Sequence, residues 1–244
     1  MLLRVDLALL PAEGEAIDAE AFVVIDVLRA TTTIAAFLAA GASRITAVDA
    51  LDLGRERAST AGALLAGEVG GLPPKGFDFG NSPRDAAAAA LTGREVVLFT
   101  TNGTRALCRL AARGPVYAGA VVNAGAVARA VVRGHRSAVL VCAGDAAGTR
   151  FGLDDFAAAG AIIAAIVAVA PASELGDAAR LAISLWDERG PAALRGSHHA
   201  GALRALGLGA DIDFALEQDR FSCVPAVVAH GAGWVAIEDR AATP

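Results

Sequence analysis

The chain has 244 residues, 55% of them hydrophobic and 19% charged, with a formal net charge of −5. That length and apolar content allow one large domain with a sizeable core. The acidic balance, with no block of Lys and Arg, excludes the usual profile of a nucleic-acid reader, so local arginines and backbone N–H groups must capture any anionic ligand.

Met1 to Glu20 alternates acids with apolar residues and lacks a basic start, so no signal peptide is expected. Residues 22–28 are a β-branched apolar run and predict a buried strand. Residues 31–40 predict a helix ended by Gly41. A strand at 44–48, a helix at 51–61 and a short strand at 63–66 follow, the last running into Gly67-Glu68. Residues 67–83 carry five Gly and three Pro and predict an irregular, functional loop. Alternation then resumes, with strands at 94–101, 116–120 and 137–142 and helices at 103–112, 123–133 and 153–169. The most apolar stretch, 157–170, is too short for a membrane span and directly follows Asp154 and Asp155. Repeated strand–helix units predict an α/β, three-layer αβα fold with a mostly parallel or mixed sheet.

Past Pro171 the texture changes. Helices are expected at 175–186, 191–194 and 198–206 without intervening strands. Segments 224–230 and 234–238 then read as a closing hairpin or an antiparallel edge. Pro171 therefore marks a lobe boundary within a single domain over 1–244, between a main lobe at 1–170 and an interleaved lobe at 171–244. Cys108, Cys142 and Cys223 are odd in number and spaced for neither zinc nor disulfides. They read as buried small hydrophobes in a reducing, cytoplasmic setting.

Four loops follow apparent strands and are rich in Gly, Thr, Asn or acid. They are Asp26 to Thr33, Gly67-Glu68, Thr100 to Arg105, and Cys142 to Asp145. Ligands bind beyond the carboxyl ends of parallel strands, so the four loops are expected on one rim. Thr31, Thr32 and Thr33 open a helix whose free N–H groups favour phosphate, and Arg29 can add a bidentate contact. The plainer reading is an N-cap threonine and a surface ion pair. Thr101, Asn102, Gly103 and Thr104 repeat the pattern before the next helix. Asp26, placed in an apolar strand, must pair, bind metal or change protonation. With Glu68, Asp154 and Asp155 it suits a hard cation such as Mg²⁺ better than Zn²⁺. Helix-dipole stabilisation is the alternative for Asp154 and Asp155.

Walker A and GxGxxG motifs are absent. Leu28 two positions after Asp26 breaks the haloacid-dehalogenase pattern, and Cys108 and Cys142 lack an Arg six positions on. His198 and His199 are adjacent on an expected helix and point about 100° apart, so they are not expected to share one ion.

Taken together, Ile25 to Thr33, Gly67-Glu68 with Gly76 to Pro83, Thr100 to Thr104, and Cys142-Ala143-Gly144 with Asp154-Asp155 and Ala159-Gly160-Ala161 resemble the 2-phosphosulfolactate phosphatase family. The match runs in order over about residues 20–165, with a weaker echo in 197–219 and at Val224-Pro225. The resemblance implies a three-layer α/β, Mg²⁺-dependent hydrolase that converts phosphosulfolactate to sulfolactate and phosphate, a step towards coenzyme M. Two positions depart from the family pattern: Val69, where a basic residue is expected, and Asp154, where Glu is expected.

On this combined reading Asp26, Arg29 and Cys142 are the catalytic candidates, and Asp26, Glu68, Asp154 and Asp155 the metal ligands. Substrate would be held by Arg29, Thr31, Thr32, Thr33, Thr101, Asn102, Gly103, Thr104 and Gly144. Direct or Asp26-assisted attack is favoured over Cys142, whose apolar strand should raise its pKa. The expected partner is a small anionic phosphate ester, with no nucleic acid and no membrane, and assembly into a homo-oligomer stays open. Another small phosphorylated hydroxy acid as substrate, or a non-catalytic anion-binding protein, are the alternatives.

Overall fold

The computed structural model describes residues 3–241. The chain begins with β1 (Arg4–Ala8), α1 (Pro11–Ala16) and β2 (Ala21–Ile25). Next come α2 (Ala30–Ala39), β3 (Arg44–Val48), α3 (Leu51–Ala61) and β4 (Leu64–Gly67). The Gly- and Pro-rich loop leads into α4 (Pro83–Ala88), β5 (Glu95–Phe99) and α5 (Gly103–Leu110). β6 (Val116–Gly119), α6 (Ala124–Gly134), β7 (Ser137–Cys142) and α7 (Leu153–Val169) continue the alternation. The last part holds β8 (Glu174–Leu175), α8 (Asp177–Arg189), α9 (Pro191–Arg195), α10 (His198–Ala205), α11 (Gly209–Ala215), β9 (Pro225–Gly231) and β10 (Trp234–Asp239).

The ten strands form one mixed sheet in the order β4-β5-β3-β10-β9-β6-β2-β7-β1-β8. Two parallel blocks, β4-β5-β3 and β6-β2-β7-β1-β8, flank the β9–β10 hairpin. The hairpin is therefore central to the sheet, where an edge had been one expectation. Three antiparallel steps, β3 to β10, β10 to β9 and β9 to β6, reverse one block relative to the other. A single residue pair, Tyr117 opposite Ala226, joins β6 to β9.

Successive β2 side chains enter opposite cores, as strand periodicity requires. Val23 and Ile25 pack with α6, α7 and α8 through Val127, Ile162 and Ala179. Phe22 and Val24 pack with α2 and α5 through Ile34, Phe37 and Leu107. These two helical layers about the sheet are the expected αβα arrangement. All five β2 residues are buried. Each such large apolar side chain contributes about 1.5–3 kcal/mol. Among the described residues, no helix is long and apolar enough to cross a membrane.

β2 stops at Ile25, three residues before the expected end, because the next N–H groups leave the ladder. Asp26 N–H donates to the Thr31 hydroxyl (3.1 Å) and Val27 N–H to the Asp155 carboxylate (2.9 Å). Asp26 is thus a loop residue at the strand's end. The short β8 adds to β1 at the sheet edge, so the segment after 171 does contain a further strand before its helices.

Gly67 ends β4 with φ of +143°, and a Cβ there would lie 1.9 Å from the Phe99 carbonyl oxygen. That oxygen accepts the Glu68 N–H (3.0 Å), so the contact that requires glycine also sets Glu68 in place. Gly67→Ala is expected to lower the melting temperature by about 10 °C or more. A calorimetric scan checks it.

Candidate active site

The four predicted loops meet, although the two blocks run in opposite directions. The meeting is direct: Gly103 N–H, at the start of α5, donates to Asp26 Oδ2 at 2.7 Å. Asp26 Oδ1 accepts the Ala30 N–H at 3.2 Å. Glu68 accepts the Thr101 N–H on Oε1 (2.7 Å) and the Gly71 N–H on Oε2 (2.8 Å). Asp155 accepts Val27 N–H (2.9 Å) and Gly144 N–H (3.0 Å). Each carboxylate therefore ties two backbone segments together.

These contacts frame a cavity of about 300 Å³ lined by Asp26, Arg29, Glu68, Asn81, Thr101 and His199, among others. Asn102 also lines it, and its Oδ1 accepts the Ala147 N–H (2.9 Å). Gly103 acts beside it through the N–H that holds Asp26.

Several expected site residues are placed elsewhere. Thr31, Thr32 and Thr33 are fully buried, and their hydroxyls donate to the carbonyls of Asp26, Val27 and Asn81. Thr104 is likewise buried, its hydroxyl donating to Thr100 O (2.9 Å). These threonines lock the loops' backbones, and none lines the cavity. Gly144 and Asp155 serve each other in the same way. Cys142 lies wholly in the core. Burial pushes its thiol well above the ordinary value, with Asp155 and Asp154 adding to the effect, so it is a poor nucleophile. Val69 is 54% exposed and does not line the cavity, so that departure from the family pattern lies outside its wall.

Asp154 Oδ2 pairs with His199 Nδ1 at 3.1 Å rather than lining the cavity. Burial opposes a charged His199, but the hydrogen bond and charge of Asp154, with Asp26 and Asp145, outweigh it and hold the imidazole above its ordinary pKa. His199 is therefore a site residue on its own, apart from His198. No sequence signal marks it, since its partner Asp154 comes from a distant helix and helical spacing cannot show that pairing.

Burial raises Asp26 to about 6, with Asp154 and Glu68 pushing the same way against His199 and the Ala30 N–H. Burial also raises Asp155 well above its ordinary value, reinforced by Asp154 and Asp26. Two buried carboxylates whose ionisation is opposed favour a nearby cation. Of the four expected metal ligands, Asp26 and Glu68 line the cavity; Asp145 lines it too, but is paired with Arg150. Among the described residues, no three His, Cys, Asp or Glu side chains form a ready cage. Mg²⁺ needs none, since it commonly takes one or two carboxylates and completes its shell with water and substrate phosphate. The donor set fits Mg²⁺ in that mode.

Asn81 is 4% exposed, and its Oδ1 has no hydrogen-bond partner. Its backbone is pinned, because Asn81 O accepts the Thr33 hydroxyl and Ser82 caps α4. An amide kept short of partners at a cavity wall is suited to a ligand. Asn81→Ala is expected to raise KM about tenfold with little change in melting temperature, since it breaks no internal hydrogen bond. Paired kinetic and thermal measurements check it.

Fold and cavity together define an α/β protein with an arginine-and-carboxylate site where the loops of two sheet blocks meet. A family profile described as 2-phosphosulpholactate phosphatase matches residues 9–230. A Deinococcus radiodurans protein named probable 2-phosphosulfolactate phosphatase is 42% identical, with 84% of this chain and 86% of that protein aligned. Proteins of the same name from Carboxydothermus hydrogenoformans (36% identical, 91% and 92% aligned) and Thermus thermophilus (39% identical, 92% and 94% aligned) also match. The chain belongs to the 2-phosphosulfolactate phosphatase family of phosphoric monoester hydrolases.

Proposed function

We propose that this chain is a Mg²⁺-dependent phosphatase that hydrolyses 2-phosphosulfolactate to sulfolactate and phosphate. The observation that carries the reading is one cavity lined both by an arginine suited to an anion, Arg29, and by carboxylates suited to a hard cation, Asp26 and Glu68. The family's name supplies the substrate.

Phosphoryl transfer through a loose transition state asks chiefly for positioning and charge compensation. Bound Mg²⁺ would supply Lewis-acid neutralisation of charge growing on the phosphoryl oxygens. Asp26 and Glu68 are held for it by paired backbone N–H groups and need little rearrangement. Arg29 offers N–H donors to the ester's anionic oxygens. Water attacks phosphorus and releases one of its two protons to solvent, the bond to the ester oxygen breaks, and the sulfolactate alkoxide takes a proton from an acid that solvent then reprotonates. His199 is placed to give that proton from Nε2, since Nδ1 is engaged by Asp154.

The test is phosphate release from 2-phosphosulfolactate and from a panel of phosphorylated hydroxy acids, with Mg²⁺ and with chelator. The expected result is turnover of the sulfonated ester that chelator removes and Mg²⁺ restores. Turnover indifferent to chelator would sink the metal assignment, and faster release from an unsulfonated ester would sink the substrate.

A further inference from the structure

We propose that Asp211, on α11, is a positioning residue for this cavity: it acts through Arg29 and sets the aim of the guanidinium that receives the substrate. The inference rests on reading the cavity as the phosphatase site.

Arg29 and Asp211 are each 3% exposed and pair at 2.9 Å, Nη1 to Oδ2, across 182 residues of sequence. Asp211 Oδ1 accepts the Ser82 hydroxyl at 2.7 Å. Arg29 Nη2 donates to Gly71 O at 2.7 Å. Gly71 N–H in turn donates to Glu68. Asp211 thus uses both oxygens, one on the arginine and one on the loop that carries Asn81.

A guanidinium has five N–H donors in a fixed plane. Two are spent, one from Nη1 on Asp211 and one from Nη2 on Gly71. Arg29 lines the cavity, so the remaining donors are those available to a ligand there. Because Nη1 and Nη2 are both anchored, the plane cannot rotate, and the free donors are aimed before substrate arrives. Asp211 also offsets the arginine's charge. Arg29 then serves as an oriented donor fork more than as a net positive charge, and its value depends on geometry. The site's acids agree with this, since the ligand's charge is left to a shared cation.

Charge and geometry make opposite predictions for Asp211→Asn. Removing the negative charge would tighten anion binding if charge alone mattered. Losing the anchor weakens it if aim matters. The experiment measures kcat and KM with 2-phosphosulfolactate and Mg²⁺, the dissociation constant of inorganic phosphate by calorimetry, and the melting temperature. The expected result for Asp211→Asn is a fall in kcat/KM of about 10- to 100-fold, the usual scale for losing a group that orients a ligating residue. Phosphate should bind more weakly, and Asp211→Asn should add no further loss in an Arg29→Ala background. Phosphate binding that is unchanged or tighter in folded Asp211→Asn overturns the proposal, as does an undiminished extra loss in the Arg29→Ala background. If Asp211→Asn fails to fold, Ser82→Ala decides: a smaller loss of the same sign supports the network, and no change overturns it. Wild-type protein that binds phosphate but turns over no ester overturns the functional reading, and the phosphate comparison still decides the role of Asp211. Wild-type protein that binds no phosphate overturns both.

Discussion

Asp26→Ala is expected to cut Mg²⁺-dependent phosphate release by about a thousandfold or more, the scale of losing one charge-organising group from a site. It removes a proposed cation ligand, the Ala30 N–H acceptor that shapes its own loop, and the Gly103 N–H acceptor that joins that loop to α5. Its pH behaviour gives a second readout. The folded-state value of about 6 lies above the ordinary 3.8, mainly through burial. Ionising Asp26 therefore works against the metal-free fold. Its contribution to stability is present in full below about pH 4 and is lost as pH rises through 6, by roughly 3 kcal/mol in all. The melting temperature of Asp26→Ala relative to wild type should accordingly improve between pH 4 and pH 7 without metal. A difference that stays flat over that range would show that Asp26 does not titrate there. The wild-type kcat/KM should rise with pH through a limb near 6 at low Mg²⁺, and added Mg²⁺ should move that limb to lower pH, because the cation favours the carboxylate.

Gly103→Ala carries the second large effect. A Cβ at Gly103 would lie 2.6 Å from Asp26 Oδ2 and 2.7 Å from the Ala30 Cβ. Both atoms belong to the loop that must stay against α5. Either Asp26 or the start of α5 has to shift, and a displacement of about 1 Å in a catalytic group can cost a hundredfold. The expected outcome is a fall in kcat of at least that order, with a stability loss of about 1–3 kcal/mol from overpacking. Gly201→Ala is the control. It lies in α10, and a Cβ there meets nothing within 4 Å. It should leave turnover intact and raise stability slightly, by about 0.5–1 kcal/mol. Equal kinetics in the two variants would show that the close approach at Gly103 is dispensable.

Hydrophobic period carried most of the architecture. The strands at 44–48 and 137–142 and the helices at 51–61 and 153–169 have the bounds their patterns predict. β1 is only five residues long, with Arg4 and Asp6 alternating with Val5 and Leu7, and α4, α11 and β8 are short enough to be lost among turn residues. The hairpin's central position was illegible for another reason. Local pattern gives a strand's existence, while its neighbours are fixed by pairings such as Val235 with Ala47. At the cavity, loop composition pointed to segments that meet there and often to side chains that do not line it. Thr31 to Thr33 read as a source of free helix N–H groups, yet Thr31 N–H donates to Asp26 O and Thr33 N–H to Arg29 O, and the three hydroxyls close further bonds to backbone carbonyls. Asn81, His199 and Asp211 were passed over because each is defined by what lies opposite it across the fold.

The hairpin stitched into the middle of the sheet also bears on how the protein is made. β9 and β10 are the last described strands to leave the ribosome, yet they fill the gap between β3 and β6. Until they arrive, both of those strands present open edges, the feature that templates pairing with other chains. Contacts as distant in sequence as Val235 with Ala47 also make such a sheet slow to complete. Synthesis therefore passes through a stage in which both blocks exist and neither is closed, and that interval is where a nascent chain of this topology most needs shelter from its neighbours.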